Sequence, residues 1–178
     1  MLESLAFALV KTFITFMFEQ HLEHMQSVRI EGAPGWYYQQ TKNHICDSGL
    51  ATGSAESVED AKAGARQAMV VRLQNAMNSV AYEKFRDRTD PAERALIQRF
   101  TRDEQLPVFV EASVIYENIE YLKKQGTSYA RVCIPKQRLV DYQNERVSKL
   151  AKAVTRHRRD RAFDALEGEM NEPEETQR

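Results

Sequence analysis

The chain has 178 residues with 25 basic and 26 acidic side chains, which gives a formal net charge of −1. Because so small a net charge produces no global field, nucleic acid or an anionic membrane can be bound only through a local patch. Apolar residues make up 42% of the chain, as in folded proteins, and no uncharged apolar run is long enough to span a bilayer. The composition therefore predicts one domain with appendages and excludes a conventional membrane protein.

The first twenty residues predict an amphipathic helix with a wide apolar face. Four of its apolar residues form the predicted assembly or membrane face: Leu9, Phe13, Phe16 and Phe18. Glu3 stands where a secretion signal carries basic residues, and Lys11 interrupts the apolar stretch, so a conventional signal is not expected. We expect this face to pack on its own domain or on a neighbouring subunit. The alternatives are insertion into a membrane interface and an unusual signal or anchor.

A break over residues 31–35 separates the N-terminal helix and linker, residues 1–33, from a domain over residues 34–142. The aromatic residues Trp36, Tyr37 and Tyr38 begin this domain. We expect them to close one end of the core, and the alternative is a stacking platform for bases or sugars.

A first strand is predicted over residues 44–51, with Ile45 and Leu50 as inward anchors. Gly49 and Gly53 predict a bend or bulge near its end. Their spacing is one residue short of a phosphate-binding loop and no Gly-Lys-Ser/Thr follows, so nucleotide binding is not expected.

A long helix is predicted from Ser57 to about Phe85, with Ser57 and Asp60 as an acidic variant of the capping box. Its predicted inner face consists of Val58, Ala61, Ala65, Ala68, Met69, Leu73, Met77 and Val80. Small residues let a helix backbone lie close to its packing partner. The alanine stripe of Ala61, Ala65, Ala68 and Ala76, with Gly64 beside it, therefore predicts a helix lying flush against a sheet.

A second helix is predicted to begin at Asp90, with Pro91 at its first position, and to end near Arg102. Beyond it, apolar residues alternate with polar ones from Pro107 to about Tyr121. This alternation predicts a long half-buried strand.

A turn over residues 123–127 and a shorter strand over residues 129–134 complete a predicted antiparallel hairpin. Pro135 then begins a final helix with a sparse apolar stripe: Leu139, Tyr142, Val147, Leu150 and Val154. The stripe is too sparse for a coiled coil and suits a helix that lies across a partner. Residues 143–178 form the third predicted region, a charged C-terminal helix and an acidic tail expected to be disordered.

One basic cluster lies in this helix. Its members are Arg156, Arg158, Arg159 and Arg161. A nucleic-acid footprint would need this anion patch. We prefer a solvated helix end whose cations oppose the acidic tail over residues 167–175, so nucleic acid is not the expected partner.

Two cysteines, Cys46 and Cys133, fall in predicted strands. They form no Cys-x-x-Cys motif that would indicate zinc or redox chemistry. A disulfide is expected if the strands are neighbours and the compartment is oxidising, and two free thiols suit the sequence equally well.

No catalytic constellation is evident in the sequence. His44 and Cys46 share a strand face and come closest to a thiol–base pair, but no third group orients them. His21 and His24 have the spacing of two metal ligands without a third. We therefore expect no enzyme activity, no metal and no cofactor.

Four patterns together suggest a relationship to a known family. They are Pro34 with Trp36; Gly49-Leu-Ala-Thr-Gly-Ser54; Glu59-Asp-Ala61 with Ala65 and Ala68; and the run over residues 126–133. Over residues 34–142 the chain resembles the bacterial twenty-kilodalton lipoprotein family. That family has relatives among FlgP-like flagellar outer-membrane ring proteins, the N-terminal domain of FlgT and a secreted tumour-necrosis-factor-inducing protein.

The resemblance implies an α+β, dodecin-like fold, with a long helix on a three-stranded antiparallel sheet. The chain lacks the lipid-accepting cysteine of the lipoproteins and adds N-terminal and C-terminal helices, either of which could be an assembly arm.

The expected function is that of a non-enzymatic cell-envelope structural or interaction protein, periplasmic or associated with the outer membrane. We expect it to self-assemble, with a flagellar ring or disk and other envelope proteins as candidate partners, because a three-stranded sheet with one helix leaves a face or edge uncovered. The alternative is a secreted binding module for nucleic acid or a host ligand that uses Trp36, Tyr37 and the basic cluster.

Overall fold

A computed structural model describes residues 30–39, 41–85 and 90–170. Its strands and helices in chain order are β1 (His44–Thr52), α1 (Val58–Phe85), α2 (Pro91–Thr101), α3 (Leu106–Ser113), β2 (Ile115–Leu122), β3 (Thr127–Pro135) and α4 (Lys136–Met170). Short 3-10 turns at Gly35–Tyr38 and Ala55–Ser57 precede β1 and α1. The predicted α+β class, with a three-stranded antiparallel sheet and a long helix, is confirmed.

The sheet has the order β1-β3-β2, so β3 lies in the centre and pairs antiparallel with both neighbours. Strand β3 is buried over eight of its nine residues. Helix α1 covers one face of the sheet, mainly over β1 and β3, and residues 30–39 lie across part of the other. Strand β2 is the more open edge, since Ile115 is 50% and Ile119 43% exposed.

Helix α1 lies flush against β1, as the alanine stripe predicts. A methyl group built at Gly49 would lie 2.3 Å from both the Ala61 carbonyl oxygen and the Ala65 amide nitrogen. Further along the same face Met69, Leu73 and their neighbours are buried in the main core. Of the predicted inner face only Val58 and Ala68 remain half-buried; Ala76 is buried as predicted, and Ala81 is buried in addition.

One expectation for β1 is wrong, and a second, the bend or bulge at its glycines, holds only at Gly53. Leu50 is 38% exposed, because the strand pairs with β3 in unbroken register and side chains five residues apart then lie on opposite faces. Gly49 marks no bulge. It is the point of closest approach to α1, whereas Gly53, at φ +149°, turns the chain out of the strand and donates its N–H to the Gly126 carbonyl.

The predicted cap of α1 is also wrong. Ser54, not Ser57, accepts a hydrogen bond from a free amide, that of Glu56, in the turn before the helix. Ser57 is buried instead, and its hydroxyl lies 2.8 Å from the hydroxyl of Ser128 in β3. Asp90 does cap α2, by accepting from the Ala92 amide at 2.9 Å.

The long strand predicted over residues 107–121 is replaced by helix α3 followed by the shorter β2. Leu106, Val110 and Ser113 are buried at helical spacing, and Val108, an expected inward residue, is exposed. The valine-rich pattern fits both periods, so packing of Leu106 and Val110 into the main core decides the outcome.

The apolar stripe of α4 packs on its own chain, contrary to the expectation of a partner. Leu139 and Val147 belong to the main core, and Leu150 joins Ala81 of α1 and Ile97 of α2 in a second apolar cluster. The first half of α4 therefore holds α2 against the domain.

We expect Gly49→Ala and Gly64→Ala to change stability in opposite directions. The Gly49 methyl would collide with the α1 backbone and lower the free energy of unfolding by about 1–3 kcal/mol. At Gly64 the nearest atom to the methyl is the Gly49 Cα at 3.9 Å, so alanine should add about 0.5–1 kcal/mol of helix stability. Urea unfolding measures both, and equal stability of the two variants would contradict flush packing.

Candidate functional site

The structure joins the two cysteines in a disulfide across the β1–β3 pair. Cys46 lies directly opposite Cys133 in the strand register, and both side chains are buried. Of the two alternatives left open by the sequence, the structure therefore contains the bridge. A link between residues 87 apart in sequence typically stabilises a fold by about 2–4 kcal/mol. Because the Cys46 sulfur is bonded, it is no thiol for His44 to activate.

The aromatic cluster lies on the sheet face that carries the disulfide. The Trp36 indole donates to Glu120 at 3.1 Å, and the Tyr37 ring meets the Tyr129 ring edge-on at 5.5 Å between centroids. Burial is the largest cause that raises the pKa of Tyr37 to about 12. These contacts make the cluster a half-buried cover on the sheet face opposite the main core, and so it packs on its own chain but does not close one end of the core.

Arg131 lies under this cover and is only 2% exposed. Its guanidinium donates to the Trp36 carbonyl, and its Nε lies 3.5 Å from a Glu117 carboxylate oxygen. Burial lowers the pKa of Arg131, and the negative charges of Glu117 and Asp47 oppose this effect. Neither Arg131 nor Glu117 could be recognised in the sequence, because no local pattern distinguishes them from surface charges.

The basic cluster is largely paired with carboxylates of α2 and its cap. Arg158 makes two hydrogen bonds to Glu93, at 2.5 and 3.0 Å, and Arg161 donates to Asp90 at 2.5 Å. His157 also approaches Asp90, at 3.4 Å. All four arginines of the predicted anion patch are exposed, but two of them are paired with α2 and its cap, and Arg159 contacts Asp160.

A groove of about 420 Å³ opens between α2 and α4, lined in part by Leu96, Phe100 and Leu150. Two polar residues of its wall, Tyr142 and Arg146, both contact Asp103. Arg146 forms an ion pair with the Asp103 carboxylate, and the Tyr142 hydroxyl donates a hydrogen bond to it. Burial and the Asp103 carboxylate raise the pKa of Tyr142. This network fixes α4 against the loop before α3.

The last turns of α4 carry an exposed apolar stripe that the sequence analysis overlooked. Phe163, Leu166 and Met170 are 59%, 55% and 83% exposed. At 100° per residue they share one side of the helix, opposite the side through which Val154 and Arg158 pack. Their i, i+3, i+7 spacing was visible in the sequence and is the signal that could have identified them.

Several predictions concern residues outside the described ranges. These are the N-terminal face of Leu9, Phe13, Phe16 and Phe18, the pair His21 and His24, and the acidic tail beyond residue 170. Among the residues that the structure describes, none of the helices combines the length and apolarity needed to cross a membrane.

Comparison of the chain with protein-family models, curated proteins and solved structures gives no match.

We expect the Asp90 contacts to make stability depend on pH in the acidic range. Its backbone hydrogen bond from Ala92, with further bonds from Arg161 and His157, lowers the pKa of Asp90 to about 2. A carboxyl whose folded-state pKa is depressed stabilises the fold above its ordinary pKa, and this contribution fades as the pH falls from about 4 towards 2.

Asp90→Asn keeps a capping oxygen but loses the charge. The melting temperature of the wild type should exceed that of the variant at pH 6, and the difference should shrink between pH 4 and pH 2. A difference that stays constant over this range would contradict the assignment.

Proposed function

We propose that this protein is a self-associating, non-enzymatic structural or interaction protein of the bacterial cell envelope, with a dodecin-like core. The observation that carries the proposal is the exposed stripe of Phe163, Leu166 and Met170 at the end of α4. Large apolar side chains grouped on an unpacked helix face favour burial against a partner. The residue resemblance to the twenty-kilodalton lipoprotein family and the disulfide support the envelope assignment.

The partner that best fits the stripe is a second copy of the same helix in antiparallel orientation. Arg159 lies four residues before Phe163, and Glu167 lies four residues after it, on the same side of the helix. Antiparallel pairing centred on Phe163 sets Arg159 of each copy opposite Glu167 of the other. Parallel pairing sets like charges opposite one another, which disfavours it.

Such an antiparallel contact is isologous, because each copy offers the same surface to the other. The exposed contact of Arg159 with Asp160 is no obstacle, since surface ion pairs contribute little and exchange readily. The partly exposed edge strand β2, at Ile119, offers a second contact surface. Through it, dimers can associate into larger assemblies, as a ring or disk requires.

Light scattering of the full chain at micromolar concentration tests the proposal. We expect a mass well above 20.6 kDa for the wild type, and dissociation of the helix pair in Phe163→Glu with Leu166→Glu. Loss of two apolar anchors should weaken association by at least about 30-fold, equivalent to ~2 kcal/mol. Tyr82→Glu, at a 70% exposed site on α1, is the matched control and should leave the mass unchanged.

A charge exchange sharpens the same experiment. Arg159→Glu should weaken association, and adding Glu167→Arg should restore it, because the two opposed charges are then merely reversed. Ile119→Lys reports separately on the sheet edge. A wild type that is monomeric at micromolar concentration, or a reversal that restores nothing, would remove the α4 contact.

The envelope assignment has its own test in the cells that make the protein. Acid-quenched cells are treated with a thiol-reactive polyethylene glycol under denaturing conditions. We expect the chain to run unshifted unless a reductant is added first, because Cys46 and Cys133 are oxidised together in an oxidising compartment. Two modified thiols without reductant would place the protein in a reducing compartment.

A further inference from the structure

The bulge in β2 places a carboxylate beside the disulfide. The register of β2 on β3 shifts between Tyr116 and Asn118, so Glu117 is the extra residue. Its carboxylate oxygen and the sulfurs of Cys46 and Cys133 all lie within 4.8 Å of one another. Bulges commonly re-aim a side chain towards a site, and here the carboxylate joins two sulfurs that belong to neighbouring strands.

The buried guanidinium of Arg131 is the second feature of this place. Arg131 precedes Cys133 by two positions in β3, and its side chain therefore lies on the same face of the sheet. Its Nε and Nη2 atoms make no hydrogen bond to any part of the chain that the structure describes. Of the two carboxylates that act on this buried cation, Glu117 lies 3.5 Å away and Asp47 pairs with Arg72, so additional negative charge at the sulfurs would be stabilised.

Reduction supplies two thiols that can carry that charge once they lose their protons. A dithiol reductant passes two electrons and two protons to the disulfide: the Cys46–Cys133 bond breaks, two thiols form, and the reductant becomes a disulfide. The strand pairing with β3 keeps both sulfurs on one face after the bond is broken. Two thiolates and one carboxylate are a donor set that suits Zn²⁺, with a water molecule in the fourth tetrahedral position.

We propose that the reduced protein binds one zinc-like divalent cation through Cys46, Cys133 and Glu117, so that disulfide and metal are alternative states of the same two sulfurs. Binding releases the two thiol protons as two metal–sulfur bonds form. The three negative ligands are then balanced by the cation and by Arg131, so the cluster of two buried sulfurs and one exposed carboxylate is neutral. This inference does not depend on self-association or on the compartment.

Cobalt(II) titration of the full chain tests it, because thiolate-bound cobalt absorbs in the near ultraviolet and a tetrahedral site absorbs in the visible. The protein is reduced with a trialkylphosphine under nitrogen, and circular dichroism follows folding. We expect one equivalent to bind to the reduced wild type, Zn²⁺ to displace it, and the oxidised protein to bind none. Cys46→Ser with Cys133→Ser should give no thiolate absorption.

The carboxylate is tested by Glu117→Gln, which should raise the dissociation constant at least tenfold, since even outer-sphere partners of metal ligands contribute this much. Glu120→Gln is the matched control, because Glu120 lies on the same strand and bonds to Trp36. If Glu117→Gln loses its fold, Glu117→Asp replaces it, since it keeps the charge but shortens the reach.

Three results would overturn the proposal. The first is a reduced, folded wild type without thiolate–cobalt absorption. The second is equal affinity of the wild type and the folded Glu117 variant. The third is a chain that unfolds on reduction and stays unfolded in excess Zn²⁺, since a cation that binds the native site must stabilise the native state.

Discussion

Backbone contact between α1 and β1 is the constraint on which the other elements depend. Gly49 has no side chain, and this lets the α1 backbone at Ala61 and Ala65 lie directly on the strand. The close approach fixes the height of α1 above the sheet, and so decides which larger residues, from Met69 to Met77, fill the core beyond it. The second half of α1 then supplies Ala81 to the cluster that holds α2 and α4.

The two faces of the sheet meet their polar requirements differently. On the α1 face most contacts are apolar, but Ser57 meets Ser128 near the helix start, and Arg72 pairs with Asp47 further along. The opposite face holds a disulfide and a buried arginine beside a thin aromatic cover, with the exposed Glu117 on the bulge next to them. A buried charge is costly without compensation. The arrangement of this second face therefore depends more on its charged groups and its disulfide than on apolar packing.

The sequence predicted elements wherever local chemistry and packing agree. The Asp90 cap, the turn at Gly126 and the buried stripe of α1 depend on short-range patterns, and each is present. The error at α3 arose because alternating valines satisfy both strand and helix periods, and only contact with α1 decides between them. The site around Arg131 and Glu117 could not be predicted, because it depends on the β2–β3 register and on one bulge.

The fold also changes which surface is expected to mediate self-association. The sequence predicts self-association through a bare sheet, but residues 30–39 cover part of the second face, and their carbonyl groups accept hydrogen bonds from Ser48 and Arg131. What remains open on the sheet is mainly the β2 edge. The end of α4 is different: the pairs Arg158–Glu93 and Arg161–Asp90 anchor one side of the helix, and this anchoring holds the apolar stripe on the other side towards solvent. A helix held rigidly in this way loses little conformational entropy when a second copy binds. This favours the end of α4 over the β2 edge as the first contact between two copies.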